Sequence, residues 1–269
     1  CEGDINMYAT TYIKAKDVAD AVSQLKSADE GKLLAGGQTL IPTLKQRLTS
    51  SDRLIDLTDT GLSGISDEGS SIRIGAMTRH VEVETSELVE STIPALAALA
   101  GGIGDRQVRN CGTIGGSVAN NDPSACYPSA LLALGATVHT DKRDIAAGDY
   151  FTGMFETALD EDEVITAVSF PKPEAASYVK FPNPASRYAM VGVFVAKKSS
   201  GVAVAVTGAG QDGVFRHGGL EDALNRSFSA ESVDGVAVDD SVLMSDMHAS
   251  ADYRAHLITQ MTKRAVAAC

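Results

Sequence analysis

The chain has 269 residues, 44% of them hydrophobic and 22% charged, enough for a sizeable core and ordinary for a soluble globular protein. Its 35 acidic against 23 basic residues leave a formal net charge of −12, which argues against nucleic acid or an anionic membrane surface as a partner. No run approaches the roughly eighteen apolar residues of a membrane helix and no basic-then-apolar leader is visible, so no membrane span is expected and the cytoplasm is the expected location.

In chain order, DVADAVSQLKS (Asp17–Ser27) sets Val18, Ala21, Val22 and Leu25 on one helical face, with Asp17 as N-cap. KLLAGG then reads as a short buried strand ending in glycines, and LIPTLKQRL as a helix with Pro42 in its first turn. RLIDLT and SIRIGAMT read as further strands, so strand, helix and strand describe a small α/β unit. SELVESTIPALAALAGGIG is helical and runs into a stretch with six glycines between Gly101 and Gly116, expected as a long loop punctuated by Ile103, Val108, Ile114 and Val118. A long glycine-rich loop inside a compact domain is usually functional. SALLALGATVHT gives an apolar helix, a stop at Gly135 and a strand, and EDEVITAVSF gives another strand. Four of the eight prolines fall between Pro171 and Pro184 and mark a domain boundary. Beyond it, YAMVGVFVAKKSSGVAVAVTGAG reads as two antiparallel strands joined by a Lys-Ser-Ser-Gly turn, followed by helices in LEDALNRSF and ADYRAHLITQMTKRAVAA.

Cys1, Cys111, Cys126 and Cys269 form no C-x-x-C pair, and His80, His139, His217, His248 and His256 form no H-E-x-x-H. Zinc-ribbon and redox-dithiol readings lose their support, and the chain has no evident means of holding an iron–sulfur cluster alone. The thiols are expected to be buried or idle, and His248 and His256 to be solvated residues of one helix rather than a metal site.

Two glycine motifs remain. Glycine tolerates φ > 0 and carries no Cβ, so backbone N–H groups can converge on an anion, above all where a helix begins. AGGQT (Ala35–Thr39) has the strand, glycine turn, helix layout this needs, and TIGGS (Thr113–Ser117) is a second glycine pair flanked by hydroxyl residues. Hydrogen bonds to a charged group contribute about 1.5–3 kcal/mol each, so a few of them hold a diphosphate firmly. Either motif alone is what an ordinary turn also looks like. Together, with no G-K-[ST] and no G-x-G-x-x-G, they suggest a dinucleotide gripped at its diphosphate from both sides, outside the Rossmann pattern.

LLAGGQTLIPTLKQRL, IRIGAMTRHVEVE, QVRNCGTIGGSVANNDPSACYPSALLALGA and PASRYAMVGVFV resemble, in that order, the FAD-binding medium subunit of the molybdenum hydroxylases, the family of carbon monoxide dehydrogenase and xanthine dehydrogenase. The resemblance runs from near residue 5 to the C-terminal helices. It implies an α+β fold: a PCMH-type FAD-binding domain over 1–173, made of two α/β subdomains (roughly 1–57 and 58–173), then a small C-terminal α+β domain over 174–269 with an antiparallel sheet and helices. It implies that Ala35, Gly36, Gly37, Gln38 and Thr39 form one diphosphate loop, and Thr113, Ile114, Gly115, Gly116 and Ser117 the other. Asp122, in NNDP, would continue toward the flavin, Ile165 would pack on the isoalloxazine ring, and Tyr178 and Lys180, in YVKF, would lie near it. Many members carry Asp where this chain has Cys126, which removes a carboxylate acceptor beside the cofactor. That change raises the flavin potential, or leaves the hydrogen bond to backbone or water, or makes the thiol a redox or covalent link.

The function so implied is an electron relay. A molybdenum-cofactor large subunit oxidises the substrate, an iron–sulfur small subunit passes electrons to FAD here, and FAD reduces a quinone or NAD; the expected assembly is a heterohexamer, two copies of three chains. No catalytic residue is demanded of this chain, since the redox chemistry is the cofactor's. A self-sufficient FAD-dependent oxidoreductase, with a substrate pocket within 185–269, and a flavin-free interaction scaffold are the alternatives; the intact glycine motifs count against the second. The substrate of the whole complex stays open among carbon monoxide, purine, aldehyde and N-heterocycle, with the general texture closest to carbon monoxide dehydrogenase medium chains.

Overall fold

Strand β1 (Thr11–Lys14), helix α1 (Val18–Lys26), β2 (Gly31–Leu34), α2 (Leu40–Lys45) and β3 (Arg53–Asp56) open the computed structural model, which describes residues 7–269. Cys1 lies outside the described residues. The Asp17 carboxylate accepts the Asp20 amide at 2.8 Å and starts α1, as its position predicts. The three strands form a parallel sheet in the order β1-β3-β2, and Ile55 of the central strand packs with Ala15, Ala21 and Leu57.

A second unit follows: β4 (Ile65–Asp67), β5 (Ser71–Gly75), then α3 (His80–Glu84), α4 (Glu87–Thr92), α5 (Pro94–Gly101), α6 (Arg106–Cys111), α7 (Ile114–Asn120) and α8 (Tyr127–Leu134). It closes with β6 (Thr137–Thr140), β7 (Asp144–Ala146), α9 (Ala147–Tyr150), the small hairpin β8 (Phe151–Gly153) and β9 (Glu156–Thr157), and β10 (Ile165–Pro171). Its sheet is antiparallel in the order β4-β5-β10-β6-β7. Ile72, Ile74, Val168 and Phe170 alternate onto the face covered by Leu96, Leu99, Ile114 and Leu131 of the helices. Helix α5 is apolar all round and buries Ala95, Leu96, Ala97, Leu99 and Ala100, leaving Pro94 and Ala98 exposed.

The stretch from Gly101 to Gly116 corrects one expectation: it is not a long loop but contains α6 and the first turn of α7. Glycine is a poor helix former, by about 1 kcal/mol per residue, and the sequence pattern follows that propensity. Packing overrides it. A Cβ on Gly115 would lie 2.6 Å from the Ala76 Cβ, and Thr113 caps the helix by accepting the Gly116 amide at 3.2 Å.

The C-terminal part is a sheet of β11 (Ala175–Pro182), β12 (Ala189–Lys198), β13 (Gly201–Gly210) and β14 (Gly213–Arg216), in that order, with α10 (Gly218–Arg226) and α11 (Ala251–Ala267). The expected hairpin is β12–β13, closed where Lys198 pairs with Gly201. The proline cluster contains a strand, β11. Along β13 the valines Val202, Val204 and Val206 face Leu257, Ile258 and Met261 of α11, while Ala203 and Ala205 face the core that holds Leu131 of α8. That core is therefore continuous across residue 173. His248 is exposed and precedes α11, so the expectation that it shares a helix with His256 is corrected; its ring meets the Asn183 amide at 3.3 Å.

Two buried polar knots hold these elements, one in the C-terminal part and one beside the β6–β7 turn. Arg254 of α11, 3% exposed, donates from Nη1 to the Met190 and Gly208 carbonyls, each at 2.6 Å, and from Nη2 to the Asp246 carboxylate at 2.8 Å. Breaking a buried charged contact costs about 3–5 kcal/mol, so Arg254→Met is expected to lower the melting temperature by roughly 10 °C. Calorimetry showing no shift would refute this role. Glu163, 4% exposed, accepts from Thr140 Oγ1 at 2.7 Å, Arg143 Nη2 at 3.0 Å and the Asp160 amide at 2.9 Å. Burial alone would raise its carboxyl, but Arg143, the Asp160 amide and Thr140 outweigh it and hold it down at about 2. A folded value below the unfolded one, about 4.3, gives stability that is complete above the unfolded value and lost as pH falls toward about 2. Glu163→Gln should flatten this limb in acid unfolding curves; an unchanged limb between about pH 4.5 and 2 would count against it.

Candidate functional site

The two glycine motifs meet. A Cβ on Gly36 would lie 2.2 Å from the Cys111 carbonyl oxygen and 2.6 Å from Gly112 Cα, so backbone rests directly on backbone at the junction of α6 and α7. Gly37, at φ +65, then turns the chain from β2 into α2. This geometry divides the amides unequally. Those of Ile114, Gly115, Gly116 and Ser117 donate to Thr78 O, Ala76 O, Thr113 Oγ1 and Thr113 O. Those of Gly36, Gly37, Gln38, Thr39 and Leu40 donate to no group among the described residues, while the Gln38 side chain folds back to the Gly36 carbonyl at 2.9 Å. The A-G-G-Q-T run is thus the open cradle of N–H donors, and the T-I-G-G run a close-packed wall beside it.

Both border a cleft of about 650 Å³ that is also lined by Leu159, Glu163 and Ile165 and, from the C-terminal part, by Lys180 of β11 and Tyr188 just before β12. All the residues nominated from the sequence line it except Ile114 and Tyr178. Ile114 points into the helix–sheet core. Tyr178 stands against Phe194, ring centroids 6.2 Å apart, with its buried hydroxyl lacking a hydrogen-bond partner among the described residues; burial and the neighbouring Cys126 push its ionisation far up.

The flank beyond α7 is a tight turn. The Asp122 carbonyl accepts the Ala125 amide at 2.9 Å and its carboxylate accepts the Ser124 amide at 2.8 Å, with Pro123 fixing the second position. Burial raises the Asp122 carboxyl, and the Ser124 amide opposes it. Cys126, 5% exposed, comes next, and Lys180 Nζ stands 3.6 Å from its sulfur. Lys180 also donates to the Gly102 and Arg187 carbonyls at 2.7 and 2.9 Å.

Sequence reasoning missed two side chains on this cleft. Tyr188, 49% exposed, follows a loop in which the Asn183 carboxamide oxygen accepts the Ala185 and Ser186 amides at 2.9 and 3.2 Å. Burial, then Asp122 and Cys126, raise its hydroxyl. The turn-forming PNPASR before an aromatic was the available signal. His80 is buried with Nδ1 unpartnered among the described residues, and burial with the nearby Arg109 lowers it to about 4, so it is neutral at pH 7. Nothing local in the sequence marks it. No His, Cys, Asp and Glu cluster among the described residues could hold a metal, and no described helix is long and apolar enough to cross a membrane.

Unengaged amides in a row at one end of a large cleft fit a ligand that carries a diphosphate and a bulky second half. Over residues 6–173 the chain matches the FAD binding domain in molybdopterin dehydrogenase. It is 33% identical to the nicotine 6-hydroxylase medium subunit of Paenarthrobacter nicotinovorans, with 96% of each chain covered. It is also 33% identical to the carbon monoxide dehydrogenase medium chain of Hydrogenophaga pseudoflava, with 95% of each covered. The solved structure of carbon monoxide dehydrogenase from Hydrogenophaga pseudoflava lacking the Mo-pyranopterin moiety superposes with a TM-score of 0.88 at 31% identity, over 98% of each chain. With the cradle in place and these likenesses spanning nearly its whole length, the chain belongs to the FAD-binding medium subunits of the molybdenum hydroxylases, an oxidoreductase family, and its cofactor is FAD.

Proposed function

We propose that the chain is the flavin link of an electron relay, between the iron–sulfur clusters of a small partner subunit and an external acceptor, quinone or NAD, with substrate oxidised in a molybdenum-bearing large subunit. The observation that carries this is the row of unengaged amides from Gly36 to Leu40, opening on a cleft that Cys126, Ile165 and Lys180 also line. In this reading Ala35, Gly36, Gly37, Gln38 and Thr39 hold the diphosphate. Thr113, Gly115, Gly116 and Ser117 pack beside it, and Ile114 braces them from the core. Asp122 and Cys126 face the flavin half, Ile165 offers an apolar wall, Lys180 a cation, and Tyr178 backs Cys126. FAD, when bound, supplies the capacity to take electrons singly and release them in pairs. The protein binds it, orients it and excludes water.

The remaining organisation belongs to the same proposal: a FAD-binding domain over 1–173, divided near residue 57, a C-terminal domain over 174–269, and a cytoplasmic heterohexamer of two copies of three chains. The names of the two relatives, medium subunit and medium chain, support partner chains. Equal identity to proteins named for nicotine and for carbon monoxide supports a substrate choice made outside this chain.

Heat release and chromatography of the purified chain should yield FAD at close to one per chain; a colourless protein that takes up no added FAD would defeat the reading. Reduction of the clusters but not of the flavin, when substrate is added to the assembled complex, would defeat the relay alone. Gly36→Ala drives a Cβ into the Cys111 carbonyl and should leave less than about a tenth of the FAD, whereas a Cβ on Gly148 meets nothing within 4 Å. Gly148→Ala should therefore keep the parent's flavin content, and equal contents in the two variants would remove the cradle from the account.

A further inference from the structure

Lys180 of β11 pairs with Gly192 of β12, and Gly192 with Thr207 of β13, so the three stand in one cross-strand row. Gly192 leaves the middle of that row to the Tyr178 hydroxyl and the Thr207 methyl group. A Cβ there would lie 2.6 Å from the Tyr178 hydroxyl and 2.9 Å from Thr207 Cγ2. Both ends of the row reach the segment between α7 and α8. Lys180 touches Cys126, as described, and Thr207, 0% exposed, places Oγ1 2.8 Å from the Pro123 carbonyl oxygen and 2.7 Å from that of Ala125. One hydroxyl has one proton to donate, so the two carbonyls share it. The next amide, Gly208, donates to Pro123 O at 2.7 Å.

These contacts differ in kind from the rest of the turn. The bonds from Ser124 and Ala125 back to Asp122 shape it but tie it to nothing else. Upstream, the Asn121 carboxamide ties it to the β8–β9 hairpin through the Gly153 and Glu156 carbonyls at 2.9 and 2.8 Å. Downstream, where Cys126 leaves for α8, the hydrogen-bonded anchorage is to the C-terminal sheet.

We infer that Thr207 is a positioning residue for the flavin site: through the Pro123 and Ala125 carbonyls it fixes the turn that sets Asp122 and Cys126 on the cleft wall. This rests on the FAD reading above. Thr207 does not itself line the cleft, but its partner Ala125 does, so its influence on the cofactor passes through this turn. Valine at 207 keeps the volume and removes the donor; serine keeps the donor and removes the methyl group.

The test uses the full chain, stripped of flavin and titrated with FAD, reading the dissociation constant and the visible circular dichroism of the bound flavin, a signal of ring environment that a general loss of stability does not reshape. T207V is expected to bind FAD about tenfold more weakly with an altered dichroism, and T207S to stay within about twofold of the parent with its dichroism unchanged. Should T207V not fold, T207A takes its place beside T207S. Parent-like affinity and dichroism in the donor-less variant overturn the inference, as does equal impairment of T207S, which would assign the effect to methyl packing. A parent chain that takes up no FAD overturns the reading of the site, and this inference with it.

Discussion

Backbone packed on backbone between the A-G-G run and the α6–α7 junction governs the site. Gly36 approaches the Cys111 carbonyl and Gly112 so closely that any side chain would part them. This contact brings the end of a parallel sheet against helices that belong to an antiparallel one, and the cleft is what remains between them. It also decides which donors are left over. On one side, amides are consumed by Ala76, Thr78 and the Thr113 cap; on the other, the chain turns at Gly37 and leaves its amides without acceptors among the described residues. Unmet donors are costly when dry, by about 1–3 kcal/mol each, so a row of them at a cleft mouth is stable only in contact with water or an anion.

The C-terminal sheet completes the cleft by a different principle. The Val-Ala-Val-Ala-Val alternation of β13 gives a bulky face to α11 and a shallow one to α8, and the shallow face lets α8 approach closely. Because α8 begins directly after Cys126, its seat on the sheet and the hydrogen bonds of β13 act on the same short segment. Arg254 adds a second layer by holding the Gly208 carbonyl from α11 while the Gly208 amide holds Pro123. Helix α11 is thereby connected to the turn on the cleft wall through one residue, Gly208.

How much of this the sequence discloses depends on the range of the interactions. AGGQT is legible because strand, turn and helix are adjacent. The hairpin at Lys-Ser-Ser-Gly is legible for the same reason. TIGG misleads, since local propensity says loop while Ala76, distant in sequence, leaves no room for a side chain at Gly115 in the helix. Motif membership also blurs two roles: Ile114 belongs to the string but serves the core, while Gly115 and Gly116 serve the wall. Short strands such as β4, β7, β8 and β9 have too few residues for a period to show. Thr207 is invisible because its partners are 84 and 82 residues away and its own neighbourhood reads as plain strand.

Cys126 shows what a local departure from a family pattern means once its surroundings are known. A carboxylate beside Lys180 would be the natural acceptor for the ammonium, and a thiol is a weak one. Yet Lys180 is not left wanting, because the Gly102 and Arg187 carbonyls accept from it and the sulfur fills the remaining side. The Arg187 carbonyl is available for this because Arg187 sits at φ +63, a conformation secured when its amide donates to Asn183 O at 2.8 Å. The lysine is thus held by main chain from two directions, one in the helical layer and one in the C-terminal loop that presents Tyr188. Its position follows from backbone geometry rather than from the residue at 126. A thiol can occupy that place without loosening the cation, and the charge that reaches the cleft there is Lys180's, unaccompanied by a carboxylate from position 126.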